Sequence, residues 1–266
     1  MLDWTIENEA QLRLWFFAGS FLILAISEVW KPRRRLIHSK VFRWLNNFGL
    51  IFFNTALLRI LAGGASILYA TEAALNGWGV FNLIEVPAWL HVLLTVAILD
   101  MFIYWQHRIF HRIPVLWKLH RVHHIDRDFD ISTSARFHTL EILLSFIIKL
   151  TLIVSIGGHP VGVLIFEILL NTASNFNHSN IKIPEKLDRF LQLFMVTPDM
   201  HRIHHSENHR QTDSNFSFST SIWDRIFKSY ETTSYSDNDK IIIGLKEFQN
   251  IEENRIDQML MNPFKD

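Results

Sequence analysis

The chain has 266 residues, enough for one large domain or two small ones, and 49% of them are hydrophobic. Its 26 basic and 26 acidic residues cancel, so nothing global points to nucleic acid. The absence of cysteine excludes disulfides, thiolate zinc sites and iron–sulfur clusters, so any metal must be held by nitrogen and oxygen donors.

A predominantly apolar run from Leu14 to Trp30 follows Arg13 and precedes Lys31, Arg33, Arg34 and Arg35. Positive charge behind the run, with no small-residue cleavage site, marks a retained membrane helix rather than a secretory signal. The positive-inside rule then places the N-terminus outside and residues 31–43 in the cytoplasm. Residues 36–47 are mixed and read as a helix lying on the interface, with His38 facing solvent. A second span covers residues 48–69, interrupted by Arg59 and by Gly63-Gly64. Between Ile60 and His107 there is no lysine or arginine, and Glu72, Glu85, Gly77, Gly79 and Pro87 mark a loop on the far side. The third span, Trp89 to Trp105, returns to the cytoplasm at Arg108, Arg112, Lys118 and Arg121. Asp100 lies within it and is expected to face the bundle interior, as ionisable groups at membrane depth do.

After a polar stretch, residues 125–137, an apolar run from Leu140 to Leu170 is broken by Gly157-Gly158-His159-Pro160, a hairpin turn. Two crossings and a re-entrant pair both satisfy this pattern. Either way residues 171–180 re-emerge on the entry side and bring His178 with them, while His91 and His159 fall near the far side as interfacial residues. From Ile181 onward the composition is that of a soluble cytoplasmic segment, with LDRFLQLFMV as an amphipathic or interfacial helix and apolar residues between Phe216 and Tyr230 placed to pack under a site. From Glu231 the chain reads as a loosely held, charged tail. The expected fold is all-α: a multi-pass membrane bundle of about four spans, or with a re-entrant hairpin, under a cytoplasmic histidine-rich helical cap. N-terminal spans and loops occupy residues 1–94, a catalytic unit 95–230 and the tail 231–266.

The chemistry is carried by histidines. His107 and His111 are four apart and share a helical face; His120 and His124 repeat the spacing with His123 aside, and His201, His204 and His205 repeat that box. Eight of the 14 histidines therefore fall into three boxes, a pattern that solvated or packed histidines do not need. Their number exceeds the four ligands of a structural zinc site and suits two metals about 3.5–4 Å apart or slightly further. Ligand type alone leaves iron, zinc and copper open. A redox-active pair at the mouth of a membrane bundle is well placed to oxidise an unactivated C–H bond in a lipid tail, which favours two irons, with zinc able to occupy the purified protein.

The ordered set D-x-x-x-Y-W-x-H-R-x-x-H (Asp100 to His111), LW-x-x-H-R-V-H-H (Leu116 to His124), R-F-H (Arg136 to His138), N-F-N-H (Asn175 to His178), T-P-D-M-H-R-I-H-H-S (Thr197 to Ser206), D-x-N-F (Asp213 to Phe216) and W-D-R-I-F (Trp223 to Phe227) resembles the fatty acid hydroxylase/sterol desaturase superfamily of integral membrane di-iron oxygenases. The resemblance covers roughly residues 95–230. It implies that His107, His111, His120, His123, His124, His201, His204 and His205 are metal ligands, that His178 is an additional ligand, and that His138 is a ligand or a neighbour. It further implies O2-dependent lipid oxidation, with electrons from an external donor such as a cytochrome b5-like protein, a ferredoxin or a reductase, since no flavin, haem or nucleotide motif is visible. Thr139, Ser217 and Lys228-Ser229 depart from the usual pattern without removing a ligand, and blur only the subgroup. Ligand imidazoles normally donate their second N–H to a carboxylate or carbonyl, which makes Asp199, Asp213, Asn215 and Glu141 candidate partners. Arg121 and Arg202 are expected to meet lipid phosphates or neighbouring carboxylates. A metal carrier or sensor is the alternative from another class, but it predicts ligands lining a transmembrane path, whereas these boxes map to one face. A zinc hydrolase is disfavoured because so many histidines leave little room for an open position and a carboxylate base.

Overall fold

The computed structural model describes residues 2–62 and 66–265; the Gly63-Gly64 interruption lies outside the described residues. The chain folds into helices α1 (Leu2–Glu7), α2 (Glu9–Trp30), α3 (Lys40–Ala62), α4 (Ser66–Leu75), α5 (Ala88–Arg112), α6 (Pro114–His124), α7 (Thr139–Ile156), α8 (Pro160–Asn177), α9 (Glu185–Leu191), α10 (Pro198–His204), α11 (His209–Thr212), α12 (Ile222–Ile226), α13 (Tyr235–Asn238) and α14 (Ile256–Met261). No strand occurs among the described residues beyond two isolated bridges, Pro32 to Ile181 and Ser206 to Ile243. Among the described residues, four stretches are long and apolar enough to cross a membrane: α2, the α3–α4 segment, α5 and α7.

Residues 36–47 were expected to form a helix lying on the interface; residues 40–47 of that stretch are the first two turns of α3. The reason is Arg43, which is fully buried and bonds both oxygens of Asp126 at 2.9–3.0 Å and Asp130 at 2.6 Å. The polar stretch after α6 thus wraps this guanidinium, drawing the start of α3 into the protein. Removing one partner of such a buried pair leaves an uncompensated charge.

The hairpin arms α7 and α8 are 18 residues each, about 27 Å at 1.5 Å per residue. The second arm was expected to end near Leu170; it continues to Asn177, with Asn175 and Asn177 buried against the protein. Gly157 closes α7 in the left-handed conformation, φ 67°. A Cβ on Gly79, φ 90°, would lie 2.1 Å from the Gly157 nitrogen, so glycine lets the loop after α4 touch this turn. Helix α8 packs against α2, α4, α5 and α10, and α5 against α6 and α7.

The bundle is apolar outside, and its interior carries polar side chains beside an apolar core of Ala70, Leu99, Ile153, Val163 and Phe166. Trp15, Phe52 and Ile60 are more than three-quarters exposed, whereas Glu28, Asn47, Asn54, Asp100 and Glu167 are buried. Lipid rewards no burial of apolar helix faces against each other, so polar contacts between helices carry a larger share of the specificity. Asp100 faces inward as expected and accepts 2.7 Å from the Trp223 indole N–H. Glu28 accepts from the backbone N–H groups of Ile131 and Asn180 at 2.7 and 2.8 Å, fixing two segments that flank the histidines.

The C-terminal segment is not loosely held. Met259 and Asn262 are fully buried, and Ile241, Ile243 and Leu245 are buried in alternation with exposed Ile242. Arg121, expected to meet a lipid phosphate or a carboxylate, donates to the Asn262 side chain at 2.9 Å and to the backbone carbonyls of Asn262 and Lys265 at 2.7 and 2.9 Å. Arg202 instead meets the carboxylate of Asp199, together with Asn238 at 2.8 Å.

Candidate metal centre

Nine of the ten candidate ligands converge in two groups. The first holds His107, His111, His120, His124 and His204; the second holds His123, His178, His201 and His205. Within each group one nitrogen from every ring lies within 4.8 Å of the others. Helical geometry explains the division. In α6, His120 and His124 are four apart and enter the first group, while His123, about 100° round from His124, enters the second. The box at the end of α10 splits in reverse: His201 and His205 are four apart and enter the second group, and His204 enters the first.

The second ring nitrogen decides what these histidines can do. His107 Nδ1 lies 2.7 Å from the Phe216 carbonyl, His204 Nδ1 2.7 Å from that of Ser214, His123 Nδ1 3.1 Å from that of Arg136 and His178 Nδ1 2.8 Å from that of Ser174. A carbonyl can only accept, so each Nδ1 carries the proton and each neutral ring presents a lone pair at Nε2. His120 does the same toward Glu141, at 2.7 Å. Yet His107 Nε2 and His120 Nε2 are 3.0 Å apart, and so are His123 Nε2 and His178 Nε2. Two lone pairs at that distance, with no proton left to share, are an arrangement that a cation between them would satisfy. Two nitrogens bound at right angles to one metal, at about 2.0–2.1 Å each, are about 3 Å apart. The Nε2 atoms of His111, His204 and His205 are buried without a partner among the described residues, the same demand stated as an unmet bond.

Burial and the neighbouring rings keep the outer ligands neutral. His178 and His204 are pushed down to about 3, and His123, His124, His201 and His205 lie well below the ordinary histidine value, in each case first because burial disfavours the charged ring. A neutral imidazole is the ligating form, so the site is poised for a transition metal. The donor set is nitrogen only, which fits iron, zinc or copper.

His138 joins neither group. Its Nδ1 accepts from the Leu140 N–H at 3.1 Å, capping α7, and its Nε2 donates to the Leu260 carbonyl at 3.1 Å, so both nitrogens are spent. Of the four candidate partners, Glu141 touches His120, and the Asp213 carboxylate lies 3.6 Å from His111 Nδ1. Asp199 meets no histidine; it binds Arg33 at 3.1 Å and Arg202, holding α10 from outside. Asn215, at φ 52°, bonds the Met200 and Glu231 carbonyls at 3.0 Å each, and thereby shapes the loop that presents the Ser214 and Phe216 carbonyls. His38, expected in solvent, is tucked against Asp128, 3.4 Å from its carboxylate.

Sequence reasoning missed the carbonyl partners, which have no side-chain signature. It also missed Asp224, which accepts from the backbone N–H of Phe216 and Ser217 at 2.8 and 3.0 Å and so aims the Phe216 carbonyl; its signal was the W-D-R-I-F motif. A cavity of about 300 Å³ opens beside the first group, lined by His107, His120, Glu141 and mainly apolar residues including Ile103, Phe110, Phe137, Leu170 and Phe218.

The model of the fatty acid hydroxylase family matches residues 92–229. Human alkylglycerol monooxygenase is 30% identical over 173 residues, covering 63% of this chain and 36% of its own length. Ornithine lipid hydroxylase OlsE of Rhizobium tropici is 23% identical over 82% of this chain and 67% of its own. Human lathosterol oxidase is 29% identical over 51% of this chain and 43% of its own. The chain thus spans about a third of the length of the human alkylglycerol monooxygenase it matches. No solved structure matches it significantly. The chain belongs to the fatty acid hydroxylase family.

Proposed function

We propose that this protein is a membrane-bound di-iron oxygenase that hydroxylates or desaturates a lipid, using O2 and electrons from an external donor. The observation that carries the reading is the convergence of two sets of unprotonated imidazole nitrogens beside a mainly apolar cavity. Its relatives are named for alkylglycerols, an ornithine lipid and lathosterol, all amphiphiles with long or fused hydrocarbon parts, and the cavity suits such a part. Bound iron would supply the activation of O2, which side chains cannot perform.

The chain's own residues do the rest. Five rings in one group and four in the other would hold the metals. Phe216 and Asp224 keep the His107 ring aimed, the Glu141 carboxylate orients the His120 ring from behind, and the apolar lining of the cavity excludes bulk water from the reacting carbon. The basic residues Lys31, Arg33, Arg34, Arg35, Arg108, Arg112 and Lys118 support a cytoplasmic face for the centre by the positive-inside rule. A carrier would need ligands along the bundle axis, but the nine histidines gather at one end.

Lipid extracts from cells with and without the protein test the chemistry: a species gaining one oxygen or losing a pair of hydrogens is expected. Unchanged lipids with iron-loaded, electron-supplied protein would remove the oxygenase reading. Labelling of a cysteine placed near Ser206 from outside intact cells would overturn the topology.

A further inference from the structure

Helix α12 lies beside the membrane span α5 rather than above it. The Trp223 indole N–H donates to Asp100 at 2.7 Å, and Arg108 donates to the Phe227 carbonyl at 3.2 Å. Asp100 stands eight residues before Arg108, about 12 Å of helix on the membrane side of the first cation at this exit. The Phe227 ring packs on Tyr104 and Trp105, with centroids 5.3 and 4.8 Å away, at the level of the interfacial aromatic belt. Residues 223–227 therefore flank the last turns of the span, although the composition from Ile181 onward reads as a soluble segment.

What this region turns outward is apolar. Ile222 and Ile226 are four apart on α12, share a face and are both exposed. Leu187 and Phe190 of α9 are exposed too, as is Phe194 just beyond it, whose ring meets that of Phe190 at 5.5 Å. The carboxylates in these segments point the other way: Asp188 and Asp224 are buried. The two segments form one body. The Gln192 carbonyl accepts from Ser221 Oγ at 2.7 Å and from Arg225 at 2.8 Å, and the Phe194 carbonyl accepts from Thr220 Oγ1 at 2.7 Å. With Arg108 on the Phe227 carbonyl, backbone acceptors at and just past the ends of these short helices are taken by side chains instead of water, as contact with hydrocarbon requires. Lys186, Arg189, Arg225 and Lys228 are exposed in or beside the same helices, with stems long enough to carry their charges to the level of lipid phosphates. An exposed apolar surface with a polar rim marks a protein or membrane contact. Its attachment to α5, where Phe102 and Ile109 are also exposed within or at the end of the span, favours the membrane.

We propose that α9 and α12 form a platform embedded in the monolayer on the histidine side, with acyl chains against Phe190, Phe194, Ile222 and Ile226 and phosphates on the basic rim. Asp224, which aims the Phe216 carbonyl at His107, sits on the inner face of α12, so lipid seats one of the elements that orient that ring.

The chain has no cysteine, so single ones can be introduced without a background. The test places an environment-sensitive fluorophore on Ile222→Cys, Ile226→Cys or Phe190→Cys in the full chain in lipid nanodiscs, and quenches it with doxyl groups on the acyl chains or with aqueous iodide. Phe102→Cys on the span and Lys240→Cys on the polar surface set the lipid and water limits. Doxyl is expected to quench the platform labels several-fold more than the label at Lys240→Cys, close to the Phe102→Cys limit, and iodide several-fold less. The three positions are read separately, so loss of one variant leaves two, and the readout is independent of metal content and of lipid oxidation. Iodide quenching at the water limit at two of the positions would overturn the platform. Protection from both quenchers would overturn it as well, because a second copy or another protein would then cover the surface.

Discussion

The two ends of the bundle both hold clustered histidines, half-buried at one end and buried at the other, and they use them differently. At the turn between α7 and α8, the His91 and His159 rings meet edge to face at 5.2 Å, His91 Nε2 bonds the Gly157 carbonyl at 2.8 Å, and His159 Nδ1 accepts from the Val161 N–H at 3.2 Å as a helix cap. His138, near the metal centre in sequence, spends both nitrogens on backbone in the same way. At the other end the fixed carbonyls take the Nδ1 protons and turn the Nε2 lone pairs on one another. Burial and clustering therefore do not make a metal site. What distinguishes the centre is that its rings are oriented from behind and left unsatisfied in front.

That contrast can be broken by mutation. The largest expected effect is at His123 and His204, one from each group: either alanine variant should insert normally, lose metal and lose lipid oxidation, with no additivity when combined. His159→Ala should leave metal content and oxidation unchanged, and full loss there would remove the distinction drawn between the two ends. Arg43→Ala comes next, costing about 3–5 kcal/mol because Asp126 and Asp130 lose their buried counter-charge. Thermal unfolding checks it, and a shift no larger than that of a surface arginine such as Arg255 would show that the pair does not brace the wrap. Glu141→Gln should weaken metal affinity about 10–100-fold with the fold intact, read by competition with a chelator. His138→Ala is the smallest: about 0.5–2 kcal/mol of stability as a lost cap, with two metals retained.

Acid sharpens the same comparison. His178 and His204 titrate near 3 in the folded chain, against about 6.5 when unfolded. Between those values the unfolded chain binds more protons, so the metal-free protein should be most stable above about pH 6.5 and lose stability as the pH falls toward 3. Bound metal should shift that loss to lower pH until protons displace it. A pH-independent unfolding temperature between pH 7 and 4 would mean these rings are not held neutral by burial.

Much of the centre was legible because its geometry is local. His107 with His111, His120 with His124 and His201 with His205 share helical faces by spacing alone, and the odd members His123 and His204 fall to the opposite group for the same reason. His178 stands alone in sequence: the topology brought it to the histidine side, and the family resemblance made it a ligand. The orienting carbonyls of Arg136, Ser174, Ser214 and Phe216 were illegible, since every residue has a carbonyl and its direction depends on tertiary contacts such as that of Asp224. Arg43 and Asp126 are 83 residues apart, so their pairing left no local trace. The charged composition after Glu231 hid a readable signal, the alternation of buried Ile241, Ile243 and Leu245 with exposed Ile242. Inside the membrane spans, Asp100 was legible because a carboxylate there has few places to go.

The central claim is that this end of the bundle holds a pair of metals on imidazole nitrogen alone. The most direct measurement is elemental analysis of the purified full chain reconstituted with ferrous iron, joined to X-ray absorption at the iron edge. Two irons per chain with a nitrogen-dominated shell near 2.0–2.2 Å are expected, falling in His204→Ala and unchanged in His138→Ala. One iron per chain, or a stoichiometry that His204→Ala leaves untouched, would contradict it.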